Sequence, residues 1–170
     1  YREGEALLRV KHPYVIRLVE TGEVNGEPYL VMEYQPGGSL ADHLKRNGPM
    51  EETVARRLTR ERCAGLAAAT KEGILHRDVN PANIILTDSL HPRITDFGLA
   101  KLSDATTITT HTDIKGTPAY LSPEVMIGQE HDWRSDQYAV GLTFFEALAA
   151  RRPFQNASGG NAHQKCLSTE

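Results

Sequence analysis

A chain of 170 residues with 39% apolar and 24% charged residues has the composition of a folded globular domain, which excludes an intrinsically disordered chain. Nineteen Lys and Arg residues against twenty-two Asp and Glu residues give a formal net charge of -3, and no basic block indicates a nucleic-acid partner. Cys63 and Cys166 lack the spacing of a zinc site or a disulfide framework, so we expect a reducing, cytoplasmic location.

The first part of the chain predicts one helix and one β-hairpin. Apolar residues share one face of a helix over residues 2–10, which ends before a proline because that residue type disfavours helix at the position preceding it. The apolar runs 15–21 and 29–34 flank Asn25 and Gly26, the dipeptide most typical of a two-residue hairpin turn. These runs are therefore predicted to be antiparallel strands.

The turn-rich run 35–39 predicts a hinge between this β-containing part and a helical part. Ser39 is the expected N-cap of a short helix that runs through Lys45. A Gly-Pro pair then separates that helix from a longer one that begins near Glu51.

The longer helix has one apolar stripe that we expect to face the core. Its members are Val54, Ala55, Leu58, Cys63, Leu66 and Ala67. On the solvent face, the i,i+4 spacing predicts the ion pairs Glu52 with Arg56 and Arg57 with Glu61. We interpret four arginines as solvated surface rather than as an anion site: Arg56, Arg57, Arg60 and Arg62.

The second half of the chain predicts another strand pair and one apolar helix. Residues 84–87 and 93–95 are expected to form the strands, with a long polar loop after them. The helix over residues 137–150 is the most apolar in the chain, so we expect it to be buried on most sides. Residues 156–170 are expected to be a linker or an irregular end.

Three oxygen-bearing side chains have a spacing that suits metal-assisted phosphoryl transfer. Asn83 and Asp96 lie at the ends of the second strand pair and could supply an amide carbonyl and a carboxylate to Mg²⁺. Asp78, in a loop before the strand, could accept the proton of an attacking hydroxyl. Each triplet around these residues is a weak signal alone, but their order along the chain is a strong one.

With these motifs the sequence resembles the eukaryotic-type (Hanks-type) protein kinases, particularly the bacterial Ser/Thr protein kinases. The resemblance covers nearly the whole chain and is based on His-Arg-Asp-Val-Asn-Pro-Ala-Asn at 76–83, Asp-Phe-Gly at 96–98 and Ser-Pro-Glu at 122–124. It implies a truncated α+β bilobal fold and a protein kinase domain fragment. Its expected parts are a partial small lobe at 1–34, a hinge at 35–39, a partial large lobe at 40–155 and an irregular end at 156–170.

The resemblance also implies roles around ATP and Mg²⁺. Asp78 would be the catalytic base, Asn83 and Asp96 the magnesium ligands, and Thr117 a hydrogen-bond partner of Asp78 in a loop typical of Ser/Thr kinases. At the adenine, Met32 would be the gatekeeper and Ile85 would pack under the purine. Glu33 would offer its backbone C=O and Gln35 its backbone N–H.

Further residues are assigned structural and regulatory roles by the same resemblance. Glu3 would pair with the ATP-binding lysine, with a solvated helix glutamate as the weaker alternative, and Asp136 would anchor the catalytic loop. The apolar spine would run through Leu7, Leu18, His76 and Phe97. Phosphate on a threonine-rich run could pair with Arg77, unless the run is simply a polar loop. Its candidate phosphosites are Thr106, Thr107, Thr109, Thr110 and Thr112.

The sequence departs from the family in two respects. Asn80 stands where Ser/Thr kinases usually have a phosphate-binding lysine, and the lost charge predicts a rate loss of roughly 10- to 100-fold that Asn80→Lys should recover. The glycine-rich loop and its lysine would precede Tyr1, and the helices that carry an arginine partner for Glu124 would follow the last apolar helix.

The function expected from these features is phosphotransfer from Mg-ATP to Ser or Thr hydroxyls of a protein substrate. A pseudokinase or nucleotide-binding scaffold is the first alternative, because of Asn80 and the missing phosphate clamp. A small-molecule kinase of the same fold is a weaker one. A kinase–kinase dimer is allowed as a route to activation, and the parent chain could be membrane-anchored.

Overall fold

The structure, a computed structural model, describes residues 7–97 and 117–154. The expected helix over residues 2–10 falls mostly outside this part: Leu7 is helical and a turn follows at residues 8–9. The threonine-rich run and residues 156–170 also lie outside the described residues.

The predicted hairpin is confirmed, with shifted ends. Strand β1 (Leu18–Val24) pairs antiparallel with β2 (Glu27–Met32). Asn25 and Gly26 connect the strands and have φ of 54° and 83°. Both angles are positive, as a two-residue type I′ hairpin turn requires. β1 extends beyond the apolar run because polar and exposed residues up to the turn still pair with β2 through their backbones.

Helix α1 (Leu40–Asn47) begins where the sequence predicts. Ser39 accepts the Asp42 backbone N–H, and the Asp42 side chain accepts the Ser39 N–H, which together form a capping box. Just before this cap, the hinge run passes so close to the second strand pair that a Cβ on Gly37 would lie 1.9 Å from the Leu86 carbonyl oxygen. Glycine is therefore required at this crossing.

Helix α2 (Glu52–Lys71) corrects the predicted stripe. The buried residues are Ala55, Leu58, Glu61, Arg62, Gly65 and Ala69. Cys63 and Ala67, which we expected in the core, are exposed. Both positions lie on the helix face opposite the buried row, whose three- and four-residue spacing follows the helical period.

Arg62 is the clearest error of the sequence interpretation. The side chain is not solvated: Arg62 is 1% exposed and donates from Nη2 to the Val140 carbonyl at 3.1 Å. Its Nε and Nη1 are buried without a partner among the described residues. Desolvation lowers the pKa of this guanidinium to about 10.

The solvent-face ion pairs of α2 are half confirmed. Arg56 pairs with Glu52 at 2.6 Å. Glu61, by contrast, is buried and lies 2.8 Å from His91, so it does not form the expected exposed pair with Arg57. His91 lies in the turn between the two strands of the second pair, and this contact joins α2 to that pair.

The second strand pair and the apolar helix are both present. Strand β3 (Ile84–Leu86) pairs antiparallel with β4 (Pro92–Ile94). After a short helix α3 (Pro123–Met126), helix α4 (Trp133–Ala149) begins four residues earlier than expected. Asp132 explains the difference, because it caps the helix by accepting the Arg134 backbone N–H.

Three apolar clusters hold these elements together and position the loops between them. One joins α1, α2, β3 and α4: Leu40, Leu44, Met50, Ala55, Leu58, Ile84, Leu86 and Ala147. The second lies around the end of β4: Val10, Val15, Ala69, Ile74, Ile94 and Phe97. The third packs the loop that contains Val79 on α4: Val79, Tyr120, Ala139, Val140 and Leu142. Within the described ranges, no helix is both long and apolar enough to cross a membrane.

Candidate active site

Asp78 is the centre of a hydrogen-bonded group in the loop between α2 and β3. Its Oδ1 accepts the Thr117 backbone N–H at 2.9 Å, and its Oδ2 accepts Asn83 Nδ2 at 3.1 Å. Asn83 also donates to the Asp78 carbonyl at 2.9 Å. Among the described residues, each carboxylate oxygen therefore has one donor and keeps a further lone pair for another.

Asn80 is bonded inside the same loop. Its Nδ2 donates to the Asp78 carbonyl at 3.1 Å and to the Thr117 hydroxyl at 3.3 Å, while its Oδ1 accepts the Ala82 N–H at 2.9 Å. Asn80 is 4% exposed. This amide thus caps the 3₁₀ turn Pro81–Asn83 and connects the loop to Thr117.

His76 is buried directly beneath Asp78. Its Nε2 lies 2.9 Å from the Thr95 carbonyl, and its Nδ1 lies 3.3 Å from the Asp78 N–H. These partners require a proton on Nε2 and a free lone pair on Nδ1, which is a neutral imidazole. Desolvation lowers the pKa of His76, in agreement with that neutral form.

Asp136, in the first turn of α4, anchors the backbone of this loop. Its carboxylate accepts the His76 N–H at 2.8 Å and the Arg77 N–H at 2.9 Å. Arg77 has φ of 67°, a left-handed conformation that costs a non-glycine residue about 1–2 kcal/mol. The two bonds from Asp136 help to hold this strained backbone in place.

Asn83 and Asp96 lie at one end of the β3–β4 pair. The Thr95 N–H donates to the Asn83 carbonyl at 3.1 Å, which places Asp96 next to the residue that faces Asn83. Asn83 uses its amide nitrogen on Asp78, so its Oδ1 is free of partners among the described residues. Asp96 is exposed and has φ of 60°. These oxygens are of the type that Mg²⁺ prefers.

The residues expected at the adenine lie at the end of β2, directly after it, and in β3. The Glu33 side chain accepts the Arg17 N–H at 3.2 Å, and Met32 Sδ lies 3.6 Å from the Thr95 hydroxyl. Within residues 7–97 and 117–154, the Glu33 carbonyl and the Gln35 N–H have no hydrogen-bond partner. Ile85 is half-buried at the centre of β3 and bridges to Ser39 beside the hinge run.

Part of the expected spine is assembled. The rings of His76 and Phe97 are 4.7 Å apart, and Leu7 packs against the cluster that contains Phe97. Leu18 is not a member of that cluster. Three expectations lie outside the described residues: Glu3, Gly98 and the threonines at 106–112.

Glu124 lies apart from the Asp78 group, in α3. Its expected arginine partner would follow the last apolar helix; among the described residues, its Oε1 accepts the Ser135 hydroxyl at 2.7 Å. Burial alone would raise the pKa of Glu124, yet hydrogen bonds such as this one outweigh it, so the pKa lies below its ordinary value. The bond joins α3 to the start of α4.

Two further residues that the sequence does not predict contact the site. His131 lies 2.9 Å from Asp136, and the Thr95 hydroxyl lies between Met32 and Asp96. A histidine in a polar loop and a threonine after a strand are common, and nothing in their local sequence distinguishes them. Only the folded arrangement brings them to the site.

Comparisons with known proteins give the family context. The family model described as protein kinase domain matches residues 1–169. Serine/threonine-protein kinase PkaA of Streptomyces coelicolor is 37% identical over 99% of this chain, PknB of Mycobacterium leprae 36% over 90%, and PrkC of Bacillus subtilis 34% over 99%. The chain covers 32%, 25% and 26% of these relatives, about a quarter to a third of their lengths.

Proposed function

We propose, since the chain belongs to the protein kinase domain family, that it contributes the catalytic centre of a serine/threonine kinase. The proposed reaction transfers the γ-phosphoryl group of Mg-ATP to a Ser or Thr hydroxyl of a protein substrate. We also propose a cytoplasmic location, where ATP is supplied, and activation by a second kinase copy acting on the threonine-rich run.

The observation that carries this proposal is the fixed carboxylate of Asp78. Thr117 and Asn83 each donate to a different oxygen of it, at 2.9 and 3.1 Å. The carboxylate is thus oriented from two sides while lone pairs remain for a substrate hydroxyl. A general base needs this combination of fixed direction and spare acceptor capacity.

The same group of residues fits a magnesium ion bound together with ATP. Asn83 Oδ1 and the Asp96 carboxylate would hold the ion, which shields the phosphate charge when it is bound. Within the described ranges, no cluster of three or more His, Cys, Asp or Glu side chains could hold a metal. Two protein ligands suit Mg²⁺, because it keeps several waters and takes oxygens from phosphates.

The hinge run supports adenine binding. The Glu33 carbonyl and the Gln35 N–H are adjacent backbone groups of opposite polarity, and neither has a partner among the described residues. An adenine edge offers one donor and one acceptor, which complement this pair of backbone groups. We propose that these groups bind the adenine, with Met32 and Ile85 packing against it.

A pseudokinase is the second candidate, and the bonding of Asn80 favours it. Both hydrogens of its amide are used within the protein, on Asp78 and Thr117. Asn80 in this arrangement has no donor left for a phosphate. The fold would then bind nucleotide without transferring phosphoryl groups.

A phosphotransfer assay on the full-length protein tests the proposed function. Radiolabelled Mg-ATP is incubated with a Ser/Thr peptide library, and wild type is compared with Asp78→Asn. We expect a loss of about 100-fold or more, the usual contribution of a general base. Asp88→Asn, at an exposed turn position, is the matched control and should keep full activity. Equal background in wild type and Asp78→Asn would favour the pseudokinase instead.

A further inference from the structure

We propose that His131 is a positioning residue for the catalytic loop, acting through Asp136. The inference rests on the proposed function, because it concerns how the protein holds Asp78 ready to accept a proton. His131 itself touches neither Asp78 nor any group assigned to ATP.

The geometry of the pair is direct. His131 Nε2 lies 2.9 Å from Asp136 Oδ1, and the two side chains are 16% and 7% exposed. Burial by itself would raise the pKa of Asp136, but hydrogen bonds from His131, His76 and Arg77 outweigh it and hold the pKa below its ordinary value. The ionised carboxylate only accepts, so His131 Nε2 carries the proton.

His131 supplies the third donor to the Asp136 carboxylate, which also accepts two backbone N–H groups. Asp136 Oδ1 already accepts the Arg77 N–H at 2.9 Å, and Oδ2 accepts the His76 N–H at 2.8 Å. His131 approaches from the segment before α4, whereas the other two donors belong to the loop before Asp78. With donors on both carboxylate oxygens, rotation of the carboxylate about its χ2 angle would break at least one bond.

The orientation of Asp136 is transmitted to the reacting group through the backbone. His76 and Arg77 directly precede Asp78, and Arg77 is held at φ 67°. A strained backbone conformation persists only when its surroundings determine it firmly. His131 also lines the same small cleft as Asp78 and Thr117. A shift of Asp136 would therefore move Asp78 without altering the hinge run where ATP is expected.

The test compares three substitutions in the full-length protein. His131→Phe keeps a ring but has no donor, and His131→Leu is a smaller donor-free variant. His131→Gln places an amide N–H near the position of Nε2. Glu130→Gln, at the exposed neighbouring position, is the matched control. The readouts are kcat, KM for ATP, and hydrogen exchange of the His76 and Arg77 amides.

We expect His131→Phe and His131→Leu to lower kcat by about tenfold or more, with KM for ATP changed less than about twofold. Exchange at the His76 and Arg77 amides should accelerate in both. His131→Gln should recover most of kcat and of the protection. If one of the two donor-free variants is unfolded, the result is taken from the other one.

Two results would overturn the inference: donor-free variants with wild-type kcat and exchange, or a His131→Gln variant as impaired as His131→Phe. The exchange readout does not need enzymatic activity. A wild type without phosphotransfer would therefore defeat the proposed function, while the exchange comparison would still decide whether His131 holds the loop.

Discussion

The carboxylate of Asp136 accepts the backbone N–H of His76 at 2.8 Å, although 60 positions separate these residues in the chain. The first turn of α4 thereby fixes the start of the loop that carries Asp78. Asp136 Oδ1 binds the next amide, that of Arg77, at 2.9 Å. The apolar cluster around Val79 and Ala139 packs the same loop onto α4, so apolar and polar contacts fix it together.

Asp136→Asn should weaken both stability and activity. The amide of the substituted residue presents an NH₂ group to one of the groups that donate to Asp136 in the wild type. That donor then has no acceptor, which leaves a buried N–H unpaired. We expect a loss of about 1–3 kcal/mol in the free energy of unfolding and a lower kcat. Denaturant unfolding measures the first, with the exposed substitution Asp88→Asn as control. Equal unfolding midpoints for the two variants would contradict the anchoring role.

Stability should fall as the pH drops below about 6.5 because of His76. Burial lowers the pKa of His76 from its ordinary value of 6.5. Between the folded and unfolded pKa values the unfolded chain binds more protons, so the free energy of unfolding rises with pH. One histidine contributes a slope of at most about 1.4 kcal/mol per pH unit.

Unfolding at pH 5.5, 6.5 and 7.5 checks this slope, with His76→Phe as the comparison. The variant removes this one titration and keeps the other histidines, so its slope should be smaller. The pKa of Asp136 is also lowered, so Asp136 too makes stability fall as the pH drops. That effect begins only near its ordinary pKa of 3.8, below this pH range. Identical slopes would show that His76 is not the group responsible.

Local signals in the sequence were sufficient for several elements of the fold. Asn25-Gly26 predicts the hairpin turn because both residues tolerate positive φ, and Ser39 predicts the start of α1 because its side chain replaces a missing backbone acceptor. Each signal acts within a few residues. Element ends were less predictable, since β1 continues as far as backbone pairing with β2 allows.

The burial of Arg62 shows where composition misleads. Its charge suggested solvent, but its position follows the row Ala55, Leu58, Arg62, Gly65 and Ala69, which repeats every three or four residues. The helical period decided the outcome, not the residue type. The bond of Asn80 to Thr117 joins positions 37 residues apart and depends on tertiary structure. The bond of His131 to Asp136 spans five residues and depends on the path of the backbone into α4.

Arg62→Met should stabilise the protein or leave it unchanged. Arg62 buries a charge with two unpartnered nitrogens among the described residues, and its single bond there is to the Val140 carbonyl. Methionine of similar length would remove the desolvation cost and keep the packing. We expect a gain of between 0 and about 3 kcal/mol in the free energy of unfolding. A loss above about 1 kcal/mol would indicate that the guanidinium has a stabilising partner elsewhere.

Gly37→Ala should disturb the hinge run specifically. The added Cβ would lie 1.9 Å from the Leu86 carbonyl oxygen, so the run must move away from β3. We expect a stability loss of about 1–3 kcal/mol and a severalfold higher KM for ATP. Gly26→Ala is the control, because its φ of 83° imposes backbone strain but nothing lies within 4 Å. A normal KM for ATP in Gly37→Ala would separate the hinge run from nucleotide binding.

Asn80→Lys should change rate and stability in opposite directions. The substitution removes the acceptor that caps the Ala82 N–H and the two donations to Asp78 and Thr117, which should cost about 1 kcal/mol of stability. The lysine ammonium adds the charged donor that Ser/Thr kinases usually direct at the phosphate from this position. This should raise kcat about tenfold. Asn80→Ala loses the same bonds without adding charge, so both quantities should fall. If Lys and Ala lower kcat alike, position 80 serves the loop and not the phosphate.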